Sequence, residues 1–183
     1  EIDFIWRILD NLRLNGFGSV ANWEYQDDVV ADVFNEDQEL IGSDVLYLEG
    51  VKVGDAAQTT FGLGLDYTFL GGFNAGLNWR YAGQLYADFD PIGFRDEDNL
   101  GAVELPSYNL VDARLSYNWR MESGTSLEFA VMVNNVFDEL YISESETNVH
   151  LSPGDDAWNG VNTRNRVFFG FGTTWNTSSR FRF

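Results

Sequence analysis

The stretch Arg164–Phe183, RNRVFFGFGTTWNTSSRFRF, decides the fold. From Val167 onward, bulky residues gather in one alternating register and small or polar residues fill most of the other. The first register holds Val167, Phe169, Phe171, Thr173, Trp175, Thr177, Ser179, Phe181 and Phe183. A period of two residues is the pattern of a β-strand. We therefore predict one long strand over residues 167–183 that lies in a membrane, within a sheet built by the rest of the chain.

The composition narrows the classes of protein that this chain can be. Its 183 residues are enough for one domain, and it has 16% aromatic residues and no Cys, which excludes disulfide scaffolds and thiolate metal sites. The sequence has no apolar run of about eighteen residues that could form a membrane helix, so a membrane crossing would require a closed barrel. A net charge of −18 without a basic stripe argues against nucleic-acid binding.

Six further segments show the same alternation. The predicted strands cover residues 1–8, 12–25, 57–69, 73–81, 106–119 and 127–133. Leu12 and Leu14 stand in the opposite register from Phe17, which predicts a bulge near Asn15–Gly16. The apolar residues of the third and fourth predicted strands all have odd numbers. Directly opposed residues point to the same side of a sheet, so the loop between these strands must contain an odd number of residues. We therefore predict that Leu70-Gly71-Gly72 is a three-residue hairpin loop.

Short and long connections alternate along the chain. The long ones are residues 26–55 (loop 1), 87–105 (loop 2) and 142–163 (loop 3), and loop 1 is predicted to be irregular. Of 29 acidic residues, 21 fall in 26–55, 87–105 and 138–163. We expect solvated loops that repel one another; the alternative is binding of divalent cations at the mouth. No segment has the spacing of a calcium-binding loop, and we predict no metal site.

Three features favour a membrane barrel over a soluble β-sandwich. The predicted strands of about 13–15 residues exceed the five or six that are typical of soluble sheets. The alternation of tight turns and long loops is typical of outer-membrane barrels. Aromatic residues gather near strand ends, as at a membrane interface: Tyr67, Phe69, Phe73, Tyr117, Trp119 and Phe183 at the short turns, and Trp23, Tyr25, Tyr81, Tyr86 and Tyr141 towards the long loops.

The sequence contains little that could support catalysis. His150, the only His, is expected to be a solvated loop residue. Five charged residues fall in the polar registers of the strands, and we interpret them as partners in cross-strand ion pairs rather than catalytic groups: Asp66, Arg80, Asp112, Arg114 and Glu128. We predict no enzyme activity and no cofactor.

Two motifs give the sequence a family resemblance. The stretch Asn134–Tyr141, NNVFDELY, precedes the last loop, and Pro106–Asp112, PSYNLVD, opens a strand. Together with a final strand that ends in Phe183, they resemble the C-terminal barrel portion of TonB-dependent outer-membrane receptors, particularly those of Bacteroidetes. Thr177 and Ser179 depart from the hydrophobic alternation usual before the terminal Phe, which weakens the predicted assembly signal of Phe181 and Phe183.

The resemblance implies a barrel of about 22 strands that is filled by a plug domain and imports scarce nutrients across the bacterial outer membrane. Residues 1–183 would be a C-terminal fragment of that barrel, without the plug. The implied partners are the remaining barrel and plug, the inner-membrane TonB complex, outer-membrane lipid and the barrel-assembly machinery. The substrate and the residues that bind it are not identified. Two alternatives stay open: a passive porin, and a soluble, secreted β-sandwich that binds its ligand on aromatic stripes.

Overall fold

The structure, a computed structural model, describes residues 1–122 and 124–183. No helix in these two ranges is long and apolar enough to cross a membrane. One short 3-10 helix covers Pro91–Gly93. The strands are β1 (Ile2–Leu9), β2 (Leu12–Val20), β3 (Val29–Phe34), β4 (Leu40–Leu46), β5 (Thr59–Phe69), β6 (Phe73–Gly83), β7 (Leu85–Tyr86), β8 (Glu104–Leu105), β9 (Tyr108–Arg120), β10 (Ser126–Asn134), β11 (Ile142–Ser145), β12 (Ala157–Trp158), β13 (Val161–Asn162), β14 (Val167–Phe169) and β15 (Thr174–Arg182).

Seven of these strands form one antiparallel sheet in the order β1-β2-β5-β6-β9-β10-β15. Every neighbour in the sheet is the next long strand in the sequence, so the sheet is a simple meander, as the seven predicted segments require. The strands contain eight to thirteen residues, shorter in most cases than predicted but close to the nine to eleven residues, roughly, that cross a bilayer at a tilt. Within the described residues, β1 and β15 each have a neighbour on only one side.

The two faces of the sheet differ in chemistry. On the apolar face, Leu65 of β5 lies opposite Leu77 of β6, and Val131 of β10 lies between Leu115 and Thr177. On the polar face, Asp66 lies opposite both Arg13 and Gly76. The predicted odd-numbered stripes of β5, β6, β9, β10 and β15 are thus confirmed as one continuous surface.

The predicted bulge near Asn15–Gly16 is wrong. β2 pairs with β5 without a break from Leu12 to Val20, and the irregularity lies in β1, between Arg7 and Leu9. As a result, Leu12 and Leu14 lie on the apolar face and Phe17 points to the polar face, opposite Gly62. A Cβ atom at Gly62 would overlap the Phe17 ring, so a glycine is needed beside an inward-pointing aromatic ring.

The predicted strand over 167–183 is two strands. β14 pairs with β11, whereas β15 pairs with β10 in the predicted register, with Phe181 opposite Leu127. The chain leaves the strand conformation at residues 170–173, because neighbouring side chains from residues 135–141 bond to the backbone there. The outward register of Trp175–Phe181 is confirmed; the continuity of the strand is not.

The long connections lie at one end of the sheet and the short turns at the other. Leu70-Gly71-Gly72 forms the predicted three-residue turn, with Phe69 opposite Phe73, and all three turn residues have positive φ. The prediction that loop 1 is irregular is wrong, because it contains the β3–β4 hairpin. Loop 3 contains the β12–β13 hairpin. Of the eleven buried apolar side chains among the described residues, only Leu110 belongs to the seven-stranded sheet. The buried core of this chain therefore lies in its loops.

Candidate functional site

The polar face of the sheet carries a series of ion pairs across strands. Arg13 contacts Asp66 at 2.8 Å and Arg80 contacts Asp112 at 2.8 Å. Arg114 contacts Glu128 at 3.2 Å. These contacts confirm that the five charged residues of the polar registers are partners in cross-strand ion pairs.

Glu128 has an unusual number of cationic neighbours. Besides Arg114, Arg182 lies 3.8 Å and Arg180 lies 4.0 Å from its carboxylate. One carboxylate therefore faces three guanidinium groups from two neighbouring strands. Near the short turns, an open concavity of the polar face is lined by Arg7, Arg13, Asn74, Asp66, Arg114 and Glu128.

Loops 1 and 2 pack together instead of repelling each other. Leu46, Leu48 and Val51 of loop 1 form a buried cluster with Phe94 of loop 2. The Tyr47 amide donates to the Phe94 carbonyl at 2.7 Å, and Arg95 pairs with Asp44 at 2.9 Å. The apolar contacts and the bonds across the loops offset the repulsion that their many carboxylates would produce.

Loop 2 also packs against loop 3. A second buried cluster joins Leu85, Ala87, Val103 and Leu105 to Ile142 and Val161. The Asp88 amide donates to the Ser145 carbonyl at 2.8 Å, and the Val103 amide donates to the Asn148 side chain at 2.7 Å. The two clusters make one packed layer over the end of the sheet, which we call the loop cap.

His150 is part of the loop cap and is not a solvated side chain. It is half-buried, and its Nε2 lies 3.0 Å from the Gly101 carbonyl. The prediction of a solvated residue is wrong because Asn148, two residues earlier, also bonds to Gly101 and holds this part of loop 3 against loop 2. His150 also lines a small pocket between the two loops with Phe89, Phe94 and Leu100.

Carboxylates of the loop cap experience opposite environments. Burial, followed by the charges of Asp88 and Glu144, raises the pKa of the Asp55 carboxyl. Hydrogen bonds from Lys52 and Asn22, with the charge of Lys52, lower the pKa of the Glu24 carboxyl. In residues 1–122 and 124–183, no group of three or more His, Cys, Asp or Glu side chains is arranged to hold a metal ion.

The NNVFDELY stretch has a structural role that the sequence did not reveal. The buried Asn135 side chain donates to the carbonyls of Glu139 at 2.9 Å and Phe171 at 3.2 Å. Its backbone amide donates to Asp112 at 2.9 Å, and Asp138 accepts from the Thr173 amide at 2.8 Å. This set of bonds, which we call the Asn135 clamp, connects the polar face, the start of loop 3 and the break before β15. Asn135 also has a left-handed φ of 48°, a conformation that Asn tolerates better than most residues.

The aromatic residues predicted at the two ends of the sheet have different neighbours. At the short turns, Tyr67, Phe69, Phe73 and Tyr117 form a continuous row with ring centroids 4.5–5.7 Å apart, as at a membrane interface. At the other end, Tyr81 stacks on Phe61 in the sheet, but Tyr25 contacts Phe89 and Tyr141 contacts Tyr108. Phe181 and Phe183 lie 6.1 Å apart, and their role as an assembly signal stays a prediction.

Two comparisons with known proteins found matches. A family model described as TonB dependent receptor-like, beta-barrel matches residues 1–136. Among solved structures, the ferric-catecholate import receptor Fiu from Escherichia coli K12, in its closed form, matches with 17% sequence identity and a TM-score of 0.47; the match covers 98% of this chain and 27% of that chain. The chain thus spans about a quarter of the length of that receptor. No curated protein matches the sequence.

Proposed function

Because the chain belongs to the TonB-dependent receptor-like β-barrel family, we propose that it forms part of an energy-coupled importer of nutrients. The family belongs to the bacterial outer membrane, and its receptors are transporters rather than enzymes. In this proposal the seven-stranded sheet is a section of the barrel wall, with its apolar face towards lipid and its polar face towards the lumen.

The observation that carries the proposal is a sheet with one apolar and one polar face, in which β1 and β15 each have a neighbour on only one side among the described residues. A soluble sheet with one apolar face must cover that face with another layer. Here Leu63, Leu77 and Phe129 of the apolar face are each more than a third exposed, and the buried core lies at one end of the sheet instead. Lipid covers such an apolar face without a second protein layer, and a closed barrel provides hydrogen-bond partners for both edge strands.

We propose that residues 1–183 are the C-terminal part of a larger barrel, and that the remaining strands pair with β1 and β15. The barrel would be filled by a plug domain, which binds the inner-membrane TonB protein. Outer-membrane lipid and the barrel-assembly machinery are further proposed partners. The loop cap would form part of the extracellular mouth, where packed loops present a fixed surface to an arriving nutrient.

Conductance of the full-length protein in a planar lipid bilayer tests the proposal without knowledge of the substrate. A plugged importer gives no steady open channel until a denaturant such as urea displaces the plug. A passive porin gives stable channel openings at once, and that result would favour the alternative function. Binding of the isolated periplasmic domain of TonB to the full-length protein tests energy coupling separately.

Extraction from cells tests the membrane assignment against the soluble alternative. The importer is expected to stay with the outer-membrane fraction in aqueous buffer and to dissolve only with detergent. Release into buffer without detergent would support the secreted binding module instead.

A further inference from the structure

The half of the polar face nearest the short turns is positively charged in an otherwise acidic chain. Six of the chain's eleven basic residues lie there, and we call them the basal arginines: Arg7, Arg13, Arg114, Arg120, Arg180 and Arg182. The carboxylates at the same end are Asp10, Asp66, Glu122 and Glu128. A local excess of arginine stands out in a chain with a net charge of −18.

The ion pairs within the chain do not neutralise this patch. Asp66 pairs with Arg13, and Glu128 faces Arg114, Arg180 and Arg182 together. Neither Arg7 nor Arg120 belongs to an ion pair within the described ranges 1–122 and 124–183. Several guanidinium groups are therefore left without an anionic partner of their own.

The register of β1 and β2 adds to this imbalance. Arg7 lies directly opposite Arg13, and like charges in directly opposed positions destabilise a sheet. A guanidinium group is fully charged at any physiological pH and presents a fork that fits a carboxylate. The electrostatic repulsion between Arg7 and Arg13 decreases if a further anion lies beside them.

We propose that the basal arginines bind a carboxylate-rich surface of the protein domain that fills the barrel. The patch faces the lumen. The side chains of its four ion-paired arginines are about half exposed, from 46% for Arg114 to 67% for Arg180, and Arg7 and Arg120 are exposed as well. An acidic protein surface provides the complementary charge. The inference rests on the proposed function, because it requires a plug domain. The inference adds the place on the barrel wall where that domain is held, near the short turns, and the positive charges that hold it.

Limited proteolysis of the purified full-length protein in detergent tests this contact. The variant Arg7→Gln/Arg180→Gln/Arg182→Gln removes three positive charges and leaves the pairs of Arg13 with Asp66 and Arg114 with Glu128 intact. At low salt, we expect cleavage within the lumenal domain to become about tenfold faster, since partly exposed ion pairs are individually weak but act here as a group. In about 1 M salt the difference should shrink towards none, because screening is nearly complete at contact distances.

Two control variants separate charge from folding. Arg95→Gln/Arg164→Gln/Arg166→Gln removes the same charge from the loops and should leave the cleavage rate unchanged. The variant Arg7→Lys/Arg180→Lys/Arg182→Lys keeps the charge and should resist cleavage nearly as well as the wild type. Heat-dependent migration in detergent gels reports whether the barrel itself has folded in each variant.

The possible outcomes distinguish this inference from the proposed function. If the lumenal domain of the wild type is protected and the glutamine variant is cleaved no faster, the inference is wrong and the importer proposal stands. Equal acceleration by the lysine variant would also overturn it, since the charge is retained. If the wild type has no protected domain in the lumen, both proposals fail.

Discussion

The side-chain amide of Asn135 donates a hydrogen bond to the carbonyl of Phe171, 36 residues later, across 3.2 Å. This bond joins the end of β10 to the break between β14 and β15. Through Asn135, the same network reaches Asp112, which also pairs with Arg80 on the polar face. The NNVFDELY stretch therefore fixes where the last long strand of this sheet begins.

Replacement of Asn135 tests the Asn135 clamp. Asn135→Ala removes the bonds to Glu139 and Phe171 and places Ala at a φ of 48°, so we expect a loss of about 2–4 kcal/mol in the free energy of unfolding. Asn135→Gly keeps the backbone conformation and isolates the contribution of the hydrogen bonds. Urea titration measures both. The control Asn134→Ala removes a single side-chain bond, to Thr174, and an equal loss there would contradict a special role for Asn135.

Gly170 and Tyr141 are expected to be coupled. A Cβ atom at Gly170 would overlap the Tyr141 ring, so Gly170→Ala should destabilise the protein by about 1–3 kcal/mol. The change should cost much less in a Tyr141→Ala background, where the space is open. A double-mutant cycle measures the coupling. Gly93→Ala, at a site with nothing within 4 Å, is the control, and additive effects of the first two changes would refute the contact.

The loop cap should unfold locally when its core is weakened. Ile142 is 1% exposed in the cluster that joins loops 2 and 3, and Ile142→Ala is expected to cost about 2–5 kcal/mol. Because few contacts of this cluster involve the long strands, cleavage of the loops by added protease should accelerate while the sheet stays folded. Ile92→Ala, in the same cap but at a residue that is 56% exposed, should have little effect. Equal protease sensitivity of the two variants would argue against a packed cap.

Asp55 should make the loop cap less stable as the pH rises. Burial, with the charges of Asp88 and Glu144, raises the pKa of this carboxyl above 3.8, so the folded chain binds a proton more readily than the unfolded chain. Above the unfolded pKa of 3.8, stability therefore falls, and the penalty is complete once the pH exceeds the folded pKa. Asp55→Asn, which also tolerates the φ of 61° at this position, should stabilise the cap at neutral pH. Urea titrations at pH 7 and at about pH 3 measure this, and a gain that persists at the lower pH would contradict the account.

The sequence was sufficient to predict the sheet, because alternation is a local property that each strand carries by itself. For example, the large apolar residues of β5 and β6 all have odd numbers. This numbering alone is enough to predict the three-residue turn at Leu70-Gly71-Gly72. The error in β2 has a physical cause. A bulge is needed only if Phe17 lies on the apolar face with Leu12 and Leu14, but Gly62 on the neighbouring strand provides room for Phe17 on the polar face. Such a compensation between strands is not visible in either strand alone.

The loops could not be predicted for the same reason. Their acidic composition suggested solvated, mutually repelling segments, whereas Phe94 packs against Leu46 and Leu48 from another loop. These contacts join residues about fifty positions apart, and no local pattern encodes them. The break before β15 depends likewise on Asn135, Asp138 and Tyr141, which the sequence offered only as a family motif.

Site-directed spin labelling along β10 tests most directly the central claim, that one face of this sheet contacts lipid and the other faces the barrel lumen. The chain has no Cys, so single cysteines can be placed at each position from Leu127 to Val133 in the full-length protein in lipid vesicles. We predict that labels at residues 127, 129, 131 and 133 are accessible to lipid-soluble oxygen, and that labels at 128, 130 and 132 are shielded from it. Equal accessibility to a water-soluble nickel complex at all seven positions, without a period of two in the access of oxygen, would contradict the account.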